Sequence, residues 1–217
     1  MNDNLPVDTF FSELLIDTDR QFKKSPIYQR QLTLGYQWSY SICATPISKD
    51  SGIIFGINWG GSGNFLPQTV MPKGNDIADY HFIKQSRQFL EKHWQLDVLN
   101  INFNYTNLCF FRTPKEKDLT SDDYKLSLPL FEKYVRYINP PWLLSIGGTN
   151  IKVLNNLGML KNIQYQFDNK KKFRGCTAQL WDYNIFSVPH PTARLTTEVR
   201  NTIWTKVTEE MKRATNR

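Results

Sequence analysis

The stretch Ile53-Ile54-Phe55-Gly56-Ile57-Asn58-Trp59-Gly60-Gly61-Ser62-Gly63 decides how the rest of the chain is read. Its first half is a short β-branched, apolar run without a polar interruption, the pattern of a central strand buried on both faces. Its second half changes chemistry at once, to an amide, an indole and three glycines. In an open parallel sheet, ligands sit beyond the carboxyl ends of the strands, so a buried strand that runs into such a loop marks a candidate site. The loop is no dinucleotide fingerprint: its glycines do not fit G-x-G-x-x-G, and Trp59 would crowd a pyrophosphate. It also lacks the G-K-S/T of a P-loop.

Working outward, apolar runs alternate with segments of helical period, which predicts an α/β layered domain. Ile101, Phe103 and Tyr105 alternate with Asn102, Asn104 and Thr106, which reads as a second strand. Trp142-Leu143-Leu144-Ser145-Ile146 reads as a third, and Ile185-Phe186-Ser187-Val188 as a last. Asp8 or Thr9 is the expected cap of an opening helix with Phe10, Phe11, Leu14, Leu15 and Phe22 on one face. A second helix is predicted from Asp79 to Trp94. Thr120 and Asp123 form a capping-box pattern at the start of a helix reaching Ile138, which Pro129 is expected to kink or restart. Ile151, Leu154 and Leu157 repeat at helical spacing before Gly158, and Val199, Ile203, Val207 and Met211 line a closing helix. The Lys- and Asn-rich stretch from Asn162 to Gly175 reads as a loop or hairpin. Its basic run, Lys170 to Arg174, reads as a solvated loop rather than a phosphate clamp.

The chain has 217 residues, 40% of them hydrophobic and 14% aromatic. That suits one packed domain over residues 1–217, with no repeat or linker. No apolar run approaches ~20 residues, so no membrane span is expected. The N-terminus carries no secretion pattern; the expected location is cytoplasmic (bacterial) or nucleoid-associated, not secreted. Cys43, Cys109 and Cys176 are odd in number and far apart, which reads as reduced, buried thiols with no zinc or iron–sulfur spacing. His81 and His93 lie on a presumed helix without ligand spacing and read as structural. The net charge of +7 favours a polyanionic partner.

Two further strand exits are rich in polar residues: Tyr105-Thr106-Asn107-Leu108-Cys109 and Val188-Pro189-His190-Pro191-Thr192-Ala193-Arg194. With Gly56-Ile57-Asn58 they carry a resemblance to the uracil-DNA glycosylase superfamily, nearest its single-strand-selective monofunctional and mismatch-specific thymine branches. Gly56-Ile57-Asn58 resembles the first family motif, Gly-x-Asn-Pro-Gly. His190 to Arg194 resembles the second, His-Pro-Ser-Pro-Arg. Asn107-Leu108-Cys109 resembles the internal Asn-Leu-Cys of the single-strand-selective branch, and Thr106 to Thr120 is similar to the thymine branch. The match runs from about Ile53 to Met211. Each motif is weak alone; the three in this order are fairly specific.

The resemblance implies a three-layer α/β/α sandwich with a short, mainly parallel central sheet, acting as a monomer on DNA without metal or organic cofactor. The implied reaction hydrolyses the N-glycosidic bond of uracil or a related altered base and leaves an abasic site. Asn58 would orient water, since an amide is too weak a base to take its proton. His190 would stabilise charge developing on the departing base. Asn107 would read the edge of the base, with Gly56 and Ile57 beside it. Arg194 would fill the gap in the stack or contact the displaced strand, and the amides from Thr192 to Thr196 would hold a flanking phosphate. Two departures stand out. Trp59 replaces the family proline, and Lys73 falls where the single-strand-selective branch carries its stacking aromatic. Trp59 and Phe65 are then the candidates for stacking, and Lys73 for a DNA contact. These departures keep open another substrate (hypoxanthine, xanthine or a modified pyrimidine). A catalytically inert DNA-binding protein, and a small-molecule-binding α/β protein, remain alternatives from other classes.

Overall fold

A computed structural model describes residues 5–60, 65–73, 81–94, 103–170 and 173–215. The element order is α1 (Val7–Lys24), α2 (Pro26–Leu34), β1 (Ser39–Tyr40), β2 (Ile53–Gly56), α3 (His81–Trp94), β3 (Asn104–Asn107), β4 (Phe111–Arg112), α4 (Ser121–Ile138), β5 (Leu143–Ile146), α5 (Gly148–Asn156), β6 (Leu160–Asn169), β7 (Phe173–Leu180), β8 (Tyr183–Val188) and α6 (Thr197–Thr215). The first part of the second predicted strand, residues 101–102, lies outside the described residues, as do residues 79–80 of the predicted helix.

Six strands form a mostly parallel central sheet in the order β3-β2-β5-β8-β7-β6, flanked by helices. The pairs β2–β3, β2–β5 and β5–β8 are parallel, whereas β8–β7 and β7–β6 are antiparallel. Strand alternation sorts the apolar side chains into two layers. Ile53, Phe55, Leu143 and Ile185 pack with α1 and α4 residues such as Phe10, Leu14, Phe131 and Tyr134. Ile54, Leu144, Ile146, Phe186 and Val188 pack with Leu90 and Trp94 of α3 and with Trp204 and Val207 of α6. The continuous apolar runs noted in the sequence are thus strands covered on both faces.

Local chemistry explains most boundaries. The helix α1 starts one residue before the expected cap, after Pro6, and has no side-chain cap; Asp8 instead sits in its first turn, where its charge suits the helix dipole. The helix α2 was not anticipated, although its signals are present: Ser25 caps Tyr28 N, Pro26 occupies the first turn, and Gly35 ends it at φ 68°. The Thr120–Asp123 capping box forms as expected. Asp123 does more than its local task, because its Oδ1 also accepts from Ile27 N at 3.0 Å and so ties the start of α2 to the start of α4. Pro129 does not restart α4, which runs as one helix to Ile138. Burial of Leu128, Phe131, Tyr134, Val135 and Ile138 along one face outweighs the one backbone hydrogen bond that Pro129 removes.

The stretch read as a loop or hairpin is a hairpin, longer than its polar centre indicated, with β6 and β7 extending the sheet. Gly175 on β7 is where this hairpin meets α6. A Cβ there would lie 2.7 Å from Val207 Cγ2 and 2.8 Å from Ile203 Cγ2. All three cysteines are buried free thiols. Burial pushes Cys43 and Cys109 up to about 12 and Cys176 up to about 11. No helix among the described residues is long and apolar enough to cross a membrane.

Gly175→Ala forces a methyl group against α6, so overpacking should cost about 1–3 kcal/mol. Urea unfolding should show a lower midpoint with an unchanged m-value. An unaltered midpoint would mean that α6 does not rest on this strand.

Candidate functional site

Parallel register brings the strand exits into one row. Gly56 pairs with Asn107, Ser145 with Ser187 and Ile146 with Val188. The loops that follow enclose a cleft of about 380 Å³, to which Asn58, Trp59, Asn107, Asn150 and His190 all contribute. The three predicted motifs therefore meet. Gly56 and Ile57 line the same cleft.

Asn107 is 3% exposed, and no hydrogen bond joins its amide to another of the described residues. Its Oδ1 lies directly over Gly56, where a Cβ would overlap it. Glycine at position 56 is therefore required by close approach, and the amide is held at the cleft wall by packing. An amide at a cleft wall with no hydrogen bond among the described residues can be met by a ligand or by water.

Asn58 is anchored instead. Its Nδ2 donates to Thr113 Oγ1 at 2.9 Å and to Thr113 O at 3.3 Å. The Thr113 hydroxyl spends its own proton on Lys115 O, at 2.9 Å, so it can only accept from Asn58. These acceptors fix the amide orientation: Nδ2 faces Thr113, and Oδ1 is turned away from it as an acceptor. Thr113 is fully buried just after β4 and was not singled out in the sequence, where nothing links it to Asn58 across 55 residues.

His190 is fixed by its own loop. The backbone N–H of Thr192 donates to Nδ1 at 3.2 Å, and Thr192 Oγ1 lies 2.7 Å from the same atom. A backbone N–H can only donate, so Nδ1 is the acceptor and the neutral ring carries its proton on Nε2. Although His190 is partly open to solvent, desolvation of its ring at the cleft wall lowers its pKa below the ordinary 6.5, which favours this neutral form.

The remaining residues divide. Trp59 lines the cleft, with its ring edge-on to Tyr105 at 6.3 Å and its Nε1 buried without a partner among the described residues. Phe65 is not at the cleft: it is 5% exposed in the core beneath the Arg112 guanidinium, 4.2 Å away. Its stacking role is withdrawn, because its face is already covered. Lys73 is exposed and does not line the cleft, and Arg194 is exposed on the loop beyond His190. The phosphate-binding row of amides from Thr192 to Thr196 needs correction. The loop turns back on itself, so Thr192 N goes to His190 Nδ1, Ala193 N to His190 O and Leu195 N to Ala193 O. Thr196 serves α6 through its Oγ1, which accepts from Val199 N at 3.3 Å.

Two further cleft residues escaped sequence reasoning. Asn150 on α5 is 1% exposed; its Nδ2 donates to Ile146 O at 3.2 Å and its Oδ1 is buried without a partner among the described residues. It follows the β5 exit, Gly147-Gly148-Thr149-Asn150, whose polar character was visible in the sequence. Glu116 adds a carboxylate to the lining from the turn before α4. Its signal was lost in the charged run Lys115 to Asp118. His93 packs away from the cleft against Phe89 and Trp204, and no cluster of three or more His, Cys, Asp or Glu among the described residues is placed to hold a metal ion.

No protein-family model matches the chain, and no curated protein sequence matches it.

The His190 assignment has a pH signature. Because its folded pKa lies below that of the unfolded chain, the folded state binds fewer protons between the two values. The residue's contribution to stability is present above about 6.5 and is lost as pH falls through the folded value. Nitrogen-15 spectra of the ring at pH 7 should show the Nε2–H tautomer, with a midpoint below 6.5. A midpoint above 6.5, or a proton on Nδ1, would discard the assignment.

Proposed function

We propose that the chain is a monofunctional DNA glycosylase, hydrolysing the N-glycosidic bond of uracil or a related altered base. One observation carries this reading: Asn58, Asn107 and His190, on three separate strand exits, line one cleft large enough for an extruded base. The resemblance of the same segments to the uracil-DNA glycosylase superfamily supports it, as does the net charge of +7.

In this mechanism the bond from sugar C1′ to the base nitrogen breaks and its electron pair leaves with the base. Neutral His190 donates from Nε2 to the base oxygen on which charge accumulates, a bond that strengthens in the transition state. A water held by Asn58 Oδ1 adds to C1′. Its proton passes to bulk water or to the carboxylate of Glu116, which lines the same cleft. Thr113 is the positioning residue that keeps Asn58 Oδ1 available, and Trp59 is the remaining candidate to stack on the base. Arg194 would compensate for the vacancy in the duplex.

Asn58→Ala and His190→Ala should each lower the single-turnover rate about 100-fold or more, with DNA affinity nearly unchanged. Thr113→Val should lower it in the same direction but less, since Asn58 remains and only its orientation is freed. Rates within a few-fold of the parent in both alanine variants would remove the mechanism. A parent that binds DNA yet releases no base from any altered oligonucleotide would leave the inert-binder alternative.

Base reading is testable at Asn107. Uracil offers O4 as an acceptor and N3–H as a donor, which one amide can satisfy. Cytosine places an amino donor at the O4 position, and a carboxylate accepts well from it. Asn107→Asp should therefore lose most uracil release and gain detectable cytosine release, chiefly from single strands or mismatches, where extrusion costs least. Unchanged selectivity would mean that Asn107 does not touch the base.

A further inference from the structure

His190 is a wall shared by two clefts. On its other side lies a second cleft of about 570 Å³, which also shares Gly147 and Thr149 with the first. Its far side is built by the β6–β7 hairpin and by α5, elements outside the three motifs. Tyr165 of β6 pairs with Cys176 of β7, so both side chains share one face of the hairpin with Arg174, two residues before Cys176. Lys152 enters from α5.

The chemistry of this cleft is specific. Lys152 and Arg174 are its charged side chains, and no carboxylate appears among the described residues lining it. Tyr165 is 49% exposed, an unusual place for a large ring on a strand. One face of that ring carries the Arg174 guanidinium at 4.4 Å. Asp168 Oδ2 lies 3.4 Å from Arg174 Nε as an ion pair without hydrogen-bond geometry, and this contact is made at Nε rather than at the guanidinium's terminal nitrogens. A ring backed by a cation, with a second cation nearby, is the arrangement that stacks an unpaired base and neutralises its phosphates. A paired base has both faces covered by its neighbours, so the ring fits a single strand.

We propose that this second cleft is a single-strand DNA subsite for the nucleotide next to the extruded one. Tyr165 stacks on its base, and Lys152 and Arg174 meet its phosphates. The inference rests on the DNA reading above, and His190 then stands where the strand passes from one cleft to the other. The basic run read as a solvated loop thereby acquires a partner at Arg174.

The test uses a fluorescein-labelled oligothymidylate, which holds no altered base and so reports strand binding without excision. Fluorescence anisotropy is read across a salt series for the parent, Tyr165→Ala, Tyr165→Phe, the double variant Lys152→Ala with Arg174→Ala, and Lys24→Ala as a charge control outside the cleft. Tyr165→Ala should weaken binding about tenfold with little change in salt slope, and Tyr165→Phe should restore it. The double variant should reduce the salt slope by about 1.4, corresponding to two phosphate contacts on a single strand. Lys24→Ala should match the parent. If the parent binds with normal salt dependence and both cleft variants match it, the subsite is wrong and the DNA reading stands. If the parent shows no salt-dependent affinity for DNA, both are overturned.

Discussion

The register of the four parallel strands is the constraint on which the remainder depends. Pairing Gly56 with Asn107, Ser145 with Ser187 and Ile146 with Val188 ends the strands in one row. A shift of one residue would turn each side chain to the opposite face of the sheet. It would exchange the two apolar layers and carry Asn107 off Gly56. The register is held from both sides, by α1 and α4 on one face and α3 and α6 on the other, and each layer accepts only its own half of the strand residues. The site needs no separate scaffold: it is where a correctly aligned sheet stops.

The loops then divide their labour in a way that follows from hydrogen-bond arithmetic. Asn58 is anchored through its donors, His190 is oriented through Nδ1, and Asn107 packs against Gly56. The anchors orient the groups differently: Asn58 keeps its Oδ1 turned from Thr113, His190 is oriented by the bond at Nδ1, and Asn107 keeps its amide at the cleft wall over Gly56. In the proposed hydrolysis, preorganisation of this kind would reduce the reorganisation required as charge develops on the base.

Much of this was legible in the sequence, because buried strands and the residues at their ends are written locally. The apolar runs at Ile53, Leu143 and Ile185, the capping box at Thr120 and the convergence of three polar strand exits all follow from short-range pattern. Part of what escaped depended on contacts distant along the chain. Thr113 matters only because it meets Asn58, and Phe65 was credited with an open face that Arg112 covers. The turn after His190 absorbs the amides that a straight helix start would have presented. The hairpin was ambiguous since β6 and β7 face solvent in part, and polar residues on such strands look like loop. Asn150 is the instructive omission, as the fourth strand exit obeys the same rule as the other three.

The three buried cysteines have a practical consequence. With thiols raised to about 11 or 12, the thiolate fraction at neutral pH is on the order of one part in ten thousand or less. Alkylating reagents and mild oxidants therefore have almost nothing to attack while the sheet is closed. Cys109 lies just beyond β3 and Cys176 within β7, so their modification requires the sheet to open near each end of its strand order. Thiol labelling becomes a clock for that opening, and a cysteine introduced at the surface would take a fluorophore without competition from the native ones.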